Sequence, residues 1–243
     1  MTGGGRGIGR AVAAALAAAG AAVTVLGRQT KPLEEAVQSG HAAGYVVADV
    51  TDPEAVGMGV QQAERERGPF DILVANAGGV STAPFGKTDP AQFHKLFDLN
   101  VMGIVHATRA VLPGMVSRKF GRIVAVASTA GLKGYPYVTA YCTTKHAVVG
   151  LVRSLAVETA RTGVTVNAIC PGYTDTDLVR ESVGAVSAKT GKSHDDVVAQ
   201  YVKDVPMARL IRPEEVAAAV LYLCSTDAGA VTGTAMTVAG GEI

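Results

Sequence analysis

Thr2-Gly3-Gly4-Gly5-Arg6-Gly7-Ile8-Gly9 opens the chain, and its reading decides the fold. Gly3, Gly7 and Gly9 let a strand turn sharply into a helix and let backbone amides approach a pyrophosphate closely. The alanine-rich run 10–19 that follows reads as a helix whose positive N-terminal end favours that anion. Thr2, Gly3, Gly5, Arg6, Gly7, Ile8 and Gly9 therefore form a candidate dinucleotide cradle. A turn of this kind follows a hydrophobic strand, yet only Met1 precedes it. The first strand is thus expected to be cut short and the natural protein to begin several residues upstream. A chain of these residues alone is expected to fold poorly or hold its cofactor weakly, because neighbouring strands would face each other unpaired.

Outward from the turn, strand and helix alternate with short links. Apolar runs at 21–26, 45–48, 72–75, 122–127, 164–169 and 235–238 read as buried strands. Stretches at 53–67, 90–119, 140–162 and 213–224 read as helices, several opening on proline, which suits a first helical turn. This order predicts one doubly wound parallel sheet with helices on both faces, a single domain over 1–243. The one long irregular stretch, 173–212, reads as a lid or substrate loop, with 182–200 as a small helical flap.

Bulk properties narrow the function. The 243 residues are 48% hydrophobic and 18% charged, and no apolar run approaches the roughly 18 residues of a membrane span. A net charge of +1 gives no electrostatic case for nucleic acid or an anionic membrane. Cys142, Cys170 and Cys224 are odd in number and lack metal-ligand spacing, so they read as buried thiols in a reducing, cytoplasmic setting. The five histidines form no paired ligand motif, and no metal is expected.

The cofactor's type follows from charge. An acidic residue about 20 positions after the turn binds a ribose hydroxyl, whereas arginine accommodates a 2′-phosphate. That position holds Gly27-Arg28, and Arg6 adds a second cation, so NADP(H) is expected.

Chemistry is carried by Tyr141-Cys142-Thr143-Thr144-Lys145, which sets a phenol and an ammonium one helical turn apart. An ammonium about 4 Å from the phenol, at an effective dielectric near 20, contributes about 4 kcal/mol, roughly three pKa units. On that argument Lys145 lowers the Tyr141 pKa towards neutrality, where it exchanges protons. Ser128 ends an apolar strand and is placed to hydrogen-bond a developing oxyanion.

Taken together, these motifs resemble the short-chain dehydrogenase/reductase family, in its compact branch and over essentially the whole chain. Thr2-Gly3-x-x-x-Gly7-x-Gly9 resembles its cofactor turn, Asp49 with Val50 its adenine contact, and Asn76-Ala77-Gly78 its motif after the fourth strand. Asn100, Ser128, Tyr141 and Lys145 match its catalytic four, and Pro171-Gly172 with Thr174 and Thr176 its nicotinamide loop. The resemblance implies Tyr141 as general acid for carbonyl reduction and Ser128 as holder of the substrate oxygen. It implies Lys145 bound to the nicotinamide ribose, Asn100 holding a water for proton resupply, and a homotetramer or homodimer.

For the substrate, Ser128, Ala130, Leu132, Tyr135, Tyr137, Val138, Tyr141, Tyr173, Leu178 and Met207 are the candidate wall, mostly apolar with several phenols. Gly79-Val80-Ser81-Thr82-Ala83-Pro84 lacks the arginine usual in housekeeping 3-oxoacyl-carrier-protein reductases. Lys145–Leu151 and Ala168–Gly172 look closer to the 3-hydroxybutyrate dehydrogenase branch, but Val80, Ser81 and Ala130 replace the polar groups that hold its small carboxylate. The leading expectation is an NADPH-dependent reductase of a β-ketoacyl thioester, cyclic or polyketide-like ketone. An NAD-linked 3-hydroxyacyl or secondary-alcohol dehydrogenase and a catalytically idle NADP(H)-binding protein stay open beside it.

Overall fold

Short apolar runs make the strands, and proline or Asp caps start many of the helices. The computed structural model describes residues 1–243, the side chains of Leu178 and Ala185 excepted. Leu178, expected in the substrate wall, therefore lies outside the described residues. The elements run α1 (Gly7–Ala18), β1 (Thr24–Gly27), α2 (Thr30–Gln38), β2 (Gly44–Val47), α3 (Pro53–Arg67), β3 (Ile72–Ala75), α4 (Pro90–Phe97) and α5 (Gly103–Arg118). They continue with β4 (Gly121–Val126), α6 (Thr139–Thr159), β5 (Val164–Pro171), α7 (Asp177–Thr190), α8 (His194–Val202), α9 (Pro213–Cys224) and β6 (Ala235–Val238).

All strand pairs are parallel: β1 with β2, and β3, β4, β5 and β6 in spatial order. Residues 1–3 join the two groups, since Thr2 bridges both Leu26 and Ala75. Thr2 donates its N–H to Val74 O at 3.0 Å, Gly3 to Leu26 O at 2.7 Å, and Leu26 to Met1 O at 2.8 Å. This three-residue stub holds the place of a central strand. Beneath it Met1, Thr24, Leu26, Val46, Val56 and Phe70 border a cavity of about 40 Å³. The strand order reverses at the stub, which puts the glycine turn where such sheets bind ligands, at the carboxyl ends of the strands.

Each face of the sheet carries its own core. Val56, Val60, Ile104, Val111, Met115, Val148 and Val152 of α3, α5 and α6 cover one face. Val12, Leu16, Leu33, Val216 and Leu223 of α1, α2 and α9 cover the other. The fold is doubly wound, as expected.

Two expectations need correction. The predicted helix 90–119 contains a π-helical turn, Asp98–Met102, between α4 and α5. The irregular stretch 173–212 contains two helices instead of one flap: Gly191, at φ +70°, ends α7, and Ser193 caps α8 by accepting from Asp196 N–H. Among the described residues one helix, Pro90–Arg118, has the length and hydropathy of a membrane span. It buries Leu96, Val101, Ile104, Ala107, Val111 and Met115 inside this fold, as a core helix does.

Candidate active site

The glycine turn is locked from beneath by the segment after β3. Thr2 Oγ1 accepts from the N–H groups of Asn76 and Ala77, both at 3.1 Å, and Asn76 Nδ2 donates to Gly3 O at 3.1 Å. Asn76 thus holds the turn from behind. A methyl on Gly9 would overlap Gly3 O, and one on Gly3, at φ +65°, would meet Asn76 Nδ2 at 2.7 Å. Both positions require glycine.

Above the turn, α1 begins without a side-chain cap among the described residues and has no acidic residue in its first turn. Its orphan N–H groups and positive end suit a pyrophosphate. Gly7, at φ +49°, faces Thr176, which starts α7. The residues therefore fit a dinucleotide laid between the turn and the segment after β5. In that segment Gly172 donates to Val238 O, and the buried Thr174 donates its hydroxyl to Gly172 O at 3.0 Å.

At the expected adenine contact, Asp49 accepts from the N–H and hydroxyl of Thr51 at 3.0 and 2.9 Å. Those bonds, aided by Arg28, hold its carboxyl below the usual range despite partial burial. Arg28 Nη1 lies 3.7 Å from Asp49 Oδ2, and Val50 is buried against Gly103.

β4 delivers Ser128, whose Oγ accepts from Ala130 N–H at 3.1 Å and starts a short 3₁₀ turn, Thr129–Gly131. Ala130 is buried there, and Leu132 packs against the core. Both shape the turn behind the serine. The first turn of α6 places Tyr141 near enough to Ser128 for that hydroxyl to influence its ionisation. Lys145 Nζ, one turn on, donates to Val126 O at 2.8 Å and lies 5.6 Å from the Tyr141 ring centre. In the π-helical turn the fully buried Asn100 donates from Nδ2 to Gly79 O at 2.9 Å and Thr144 Oγ1 at 3.0 Å. A methyl on Gly78 would meet both Asn100 Oδ1 and Lys145 Nζ. The four expected catalytic residues thus converge from three separate elements: the π-helical turn, the end of β4 and α6.

One expectation fails. Burial pushes the Tyr141 phenol up, the nearby Ser128 hydroxyl opposes that, and the neighbouring thiols of Cys142 and Cys170 add to it. Lys145 is not among the influences. It is itself pulled down to about 8 by burial, against a smaller upward effect of Cys170. An ammonium bound to a carbonyl and several ångströms from the ring does not set the phenol's charge as the i,i+4 spacing suggests.

Among the residues expected to wall the substrate, Tyr135 meets Tyr173 edge-on at 6.3 Å, and Tyr173 lies against Tyr201 of α8 at 5.1 Å. Tyr137 is exposed at φ +66°, held by Ala83 N–H donating to its carbonyl, and Val138 caps α6. Met207 is exposed beside Gly240. Sequence reasoning missed Tyr201, Thr144 and Glu242. Thr144 lay inside the quoted Tyr–Lys motif, whereas nothing local marks the other two.

A sequence profile of the short chain dehydrogenase family matches residues 1–186. The chain belongs to that family. It is an oxidoreductase, and whole-length similarity to family members agrees with the profile. It is 39% identical over 248 residues to oxidoreductase UcpA of Escherichia coli (strain K12), covering all of this chain and 92% of the relative. It is 38% identical to acetoacetyl-CoA reductase of Rhizobium meliloti (strain 1021), covering 100% and 96%. The crystal structure of an actinorhodin polyketide ketoreductase variant with NADPH superposes at a TM-score of 0.94 with 32% identity, over 99% and 95% of the two chains.

Proposed function

We propose that residues 1–243 form one domain that reduces a ketone to a secondary alcohol with NADPH, the substrate being a β-ketoacyl thioester or a cyclic or polyketide-like ketone. The observation that carries this reading is the grouping of Ser128, Tyr141 and Lys145, with Lys145 Nζ 5.6 Å from the Tyr141 ring centre and bonded to Val126 O at the end of β4. Ser128 holds the carbonyl oxygen, and Tyr141 gives its proton to that oxygen as the carbonyl becomes an alkoxide. A bound nicotinamide supplies the hydride. Lys145 and Asn100 hold the proton path behind Tyr141, and Tyr135, Tyr137, Tyr173 and Met207 wall the non-reacting part of the substrate.

NADPH is favoured by Arg6 at the start of α1 and by Gly27-Arg28-Gln29 at the end of β1, a segment that carries no carboxylate of its own. The ketone class is supported by relatives named acetoacetyl-CoA reductase and polyketide ketoreductase. An NAD-linked dehydrogenase is the second reading, since Arg28 already faces Asp49. Following NADPH and NADH oxidation with a panel of β-ketoacyl thioesters and cyclic ketones tests both. Clear NADH preference overturns the cofactor assignment, and no turnover of any ketone overturns the reaction.

A further inference from the structure

The chain's penultimate residue returns to the substrate side of the site. Glu242 is 5% exposed, although burying a carboxylate is unfavourable unless its partners compensate. Its Oε1 accepts from the Tyr135 hydroxyl at 2.6 Å and lies 3.4 Å from Lys133 Nζ. The same phenol lies 2.7 Å from the hydroxyl of Thr129, the residue after Ser128. A phenol carries one hydrogen, so donation to Glu242 leaves Thr129 as the donor to it. Lys133 Nζ also sits 5.1 Å over the Tyr135 ring. Glu242 Oε2 is buried with no partner among the described residues, beside Gly172, where a methyl would approach it to 3.0 Å. Tyr135 in turn supports Tyr173, and Tyr173 meets Tyr201.

We propose that Glu242 is a specificity-determining positioning residue: its carboxylate fixes Tyr135, and through it Tyr173 and Tyr201, as the wall against which the non-reacting part of the ketone packs. This rests on the reading of Tyr135 and Tyr173 as substrate wall. Through Tyr135 and Lys133 the carboxylate fastens the loop after Ser128 to residue 242, and Tyr135 carries that restraint to Tyr173 in the segment after β5. Its removal leaves Tyr135 without its charged acceptor and frees the ring to turn.

The test compares Glu242→Ala, Glu242→Gln and Tyr135→Phe with the wild type, using acetoacetyl-CoA and cyclohexanone as substrates. Glu242→Ala and Tyr135→Phe should each raise the ketone KM about tenfold or more, with kcat changed less than about threefold. Their effects should fail to add in the double variant. Glu242→Gln keeps an acceptor oxygen and should restore most of the loss. NADPH affinity should hold in all three.

A second readout needs no substrate. The chain has seven tyrosines and no tryptophan, so near-ultraviolet circular dichroism reports largely on the tyrosines. Glu242→Gln and Tyr135→Phe should preserve the far-ultraviolet spectrum, and Glu242→Ala should alter the near-ultraviolet one. Wild-type KM values and an unchanged near-ultraviolet spectrum for Glu242→Ala overturn the proposal. So does a KM rise matched by an equal loss of NADPH affinity. If the wild type reduces no ketone, the ketoreductase reading fails, and the near-ultraviolet comparison still decides whether Glu242 fixes the tyrosines.

Discussion

Tyr141 is kept protonated by its surroundings, and that suits a proton donor better than a base. Burial raises its pKa, so the phenol carries its proton throughout the neutral range. Ketone reduction should therefore be flat with pH around neutrality, while alcohol oxidation, which needs the phenolate, should rise with pH; kcat/KM measured in both directions checks this. Tyr141→Phe should lower kcat by roughly 10²–10⁴-fold while NADPH binding, followed by fluorescence, is retained. Lys145 gives a prediction with the opposite sign for stability. Its pKa falls from 10.5 in the unfolded chain to about 8 when folded. Between those values the unfolded chain binds more protons, so stability rises with pH through that window, and the full penalty is present below about 8. That penalty is roughly 3 kcal/mol, partly offset by the bond to Val126 O. Lys145→Met should thus be more stable than wild type at pH 7 by about 1–3 kcal/mol but inactive, and the gap should close towards pH 10. Urea melts at both pH values test this, and a less stable variant at pH 7 refutes it.

Helices and turns show how far local sequence reaches. Buried parallel strands are apolar runs, so β3 and β6 match the sequence reading and the others shift by a few residues. α3 and α9 announce themselves through proline at the first turn, α3 with an Asp52 cap besides. α2 was missed because Gln29 offers no side-chain cap and the helix has only 9 residues. The π-helical turn was invisible because one extra residue barely disturbs a continuous helical pattern, yet it is what places Asn100. The two lid helices carried readable signals in Gly191 and Ser193, and these were overlooked in favour of length. Glu242 had no signal, since its partner Tyr135 is 107 residues away. At the start of α1 and the end of β1, the geometry makes the cofactor preference testable. The Arg28–Asp49 pair is exposed at 3.7 Å, and such pairs contribute little, so a phosphate competes readily for Arg28. Arg6→Ala and Arg28→Ala should each raise the KM for NADPH about tenfold with little change for NADH. Equal effects on both cofactors would remove the 2′-phosphate from the argument.

At the scale of the molecule, one sheet, two helical layers and an edge account for what remains. β6 ends the sheet, so one side of it lacks a strand neighbour. Beside it Arg153, Ala156 and Val157 of α6 and Ala160 at its end form a shallow groove with Thr232 and Gly233. Val157 is 80% exposed there, an unusual position for a large aliphatic side chain on a helix whose other apolar residues are buried or partly buried. An exposed strand edge invites pairing unless something covers it. The homo-oligomer that the family resemblance implies would meet that requirement if a two-fold axis ran through the groove and set Val157 against its own mate. Burying a valine contributes about 1.5–3 kcal/mol, and a two-fold contact counts it twice. Val157→Asp should therefore weaken self-association by about a hundredfold or more, seen as a shift to smaller species in sedimentation velocity at matched concentration. The thermal unfolding midpoint of the dissociated variant should become independent of protein concentration, whereas the wild type's should rise with it. A wild type that sediments as a monomer at every concentration, or a Val157→Asp variant that keeps the wild-type species, rules this face out as the contact.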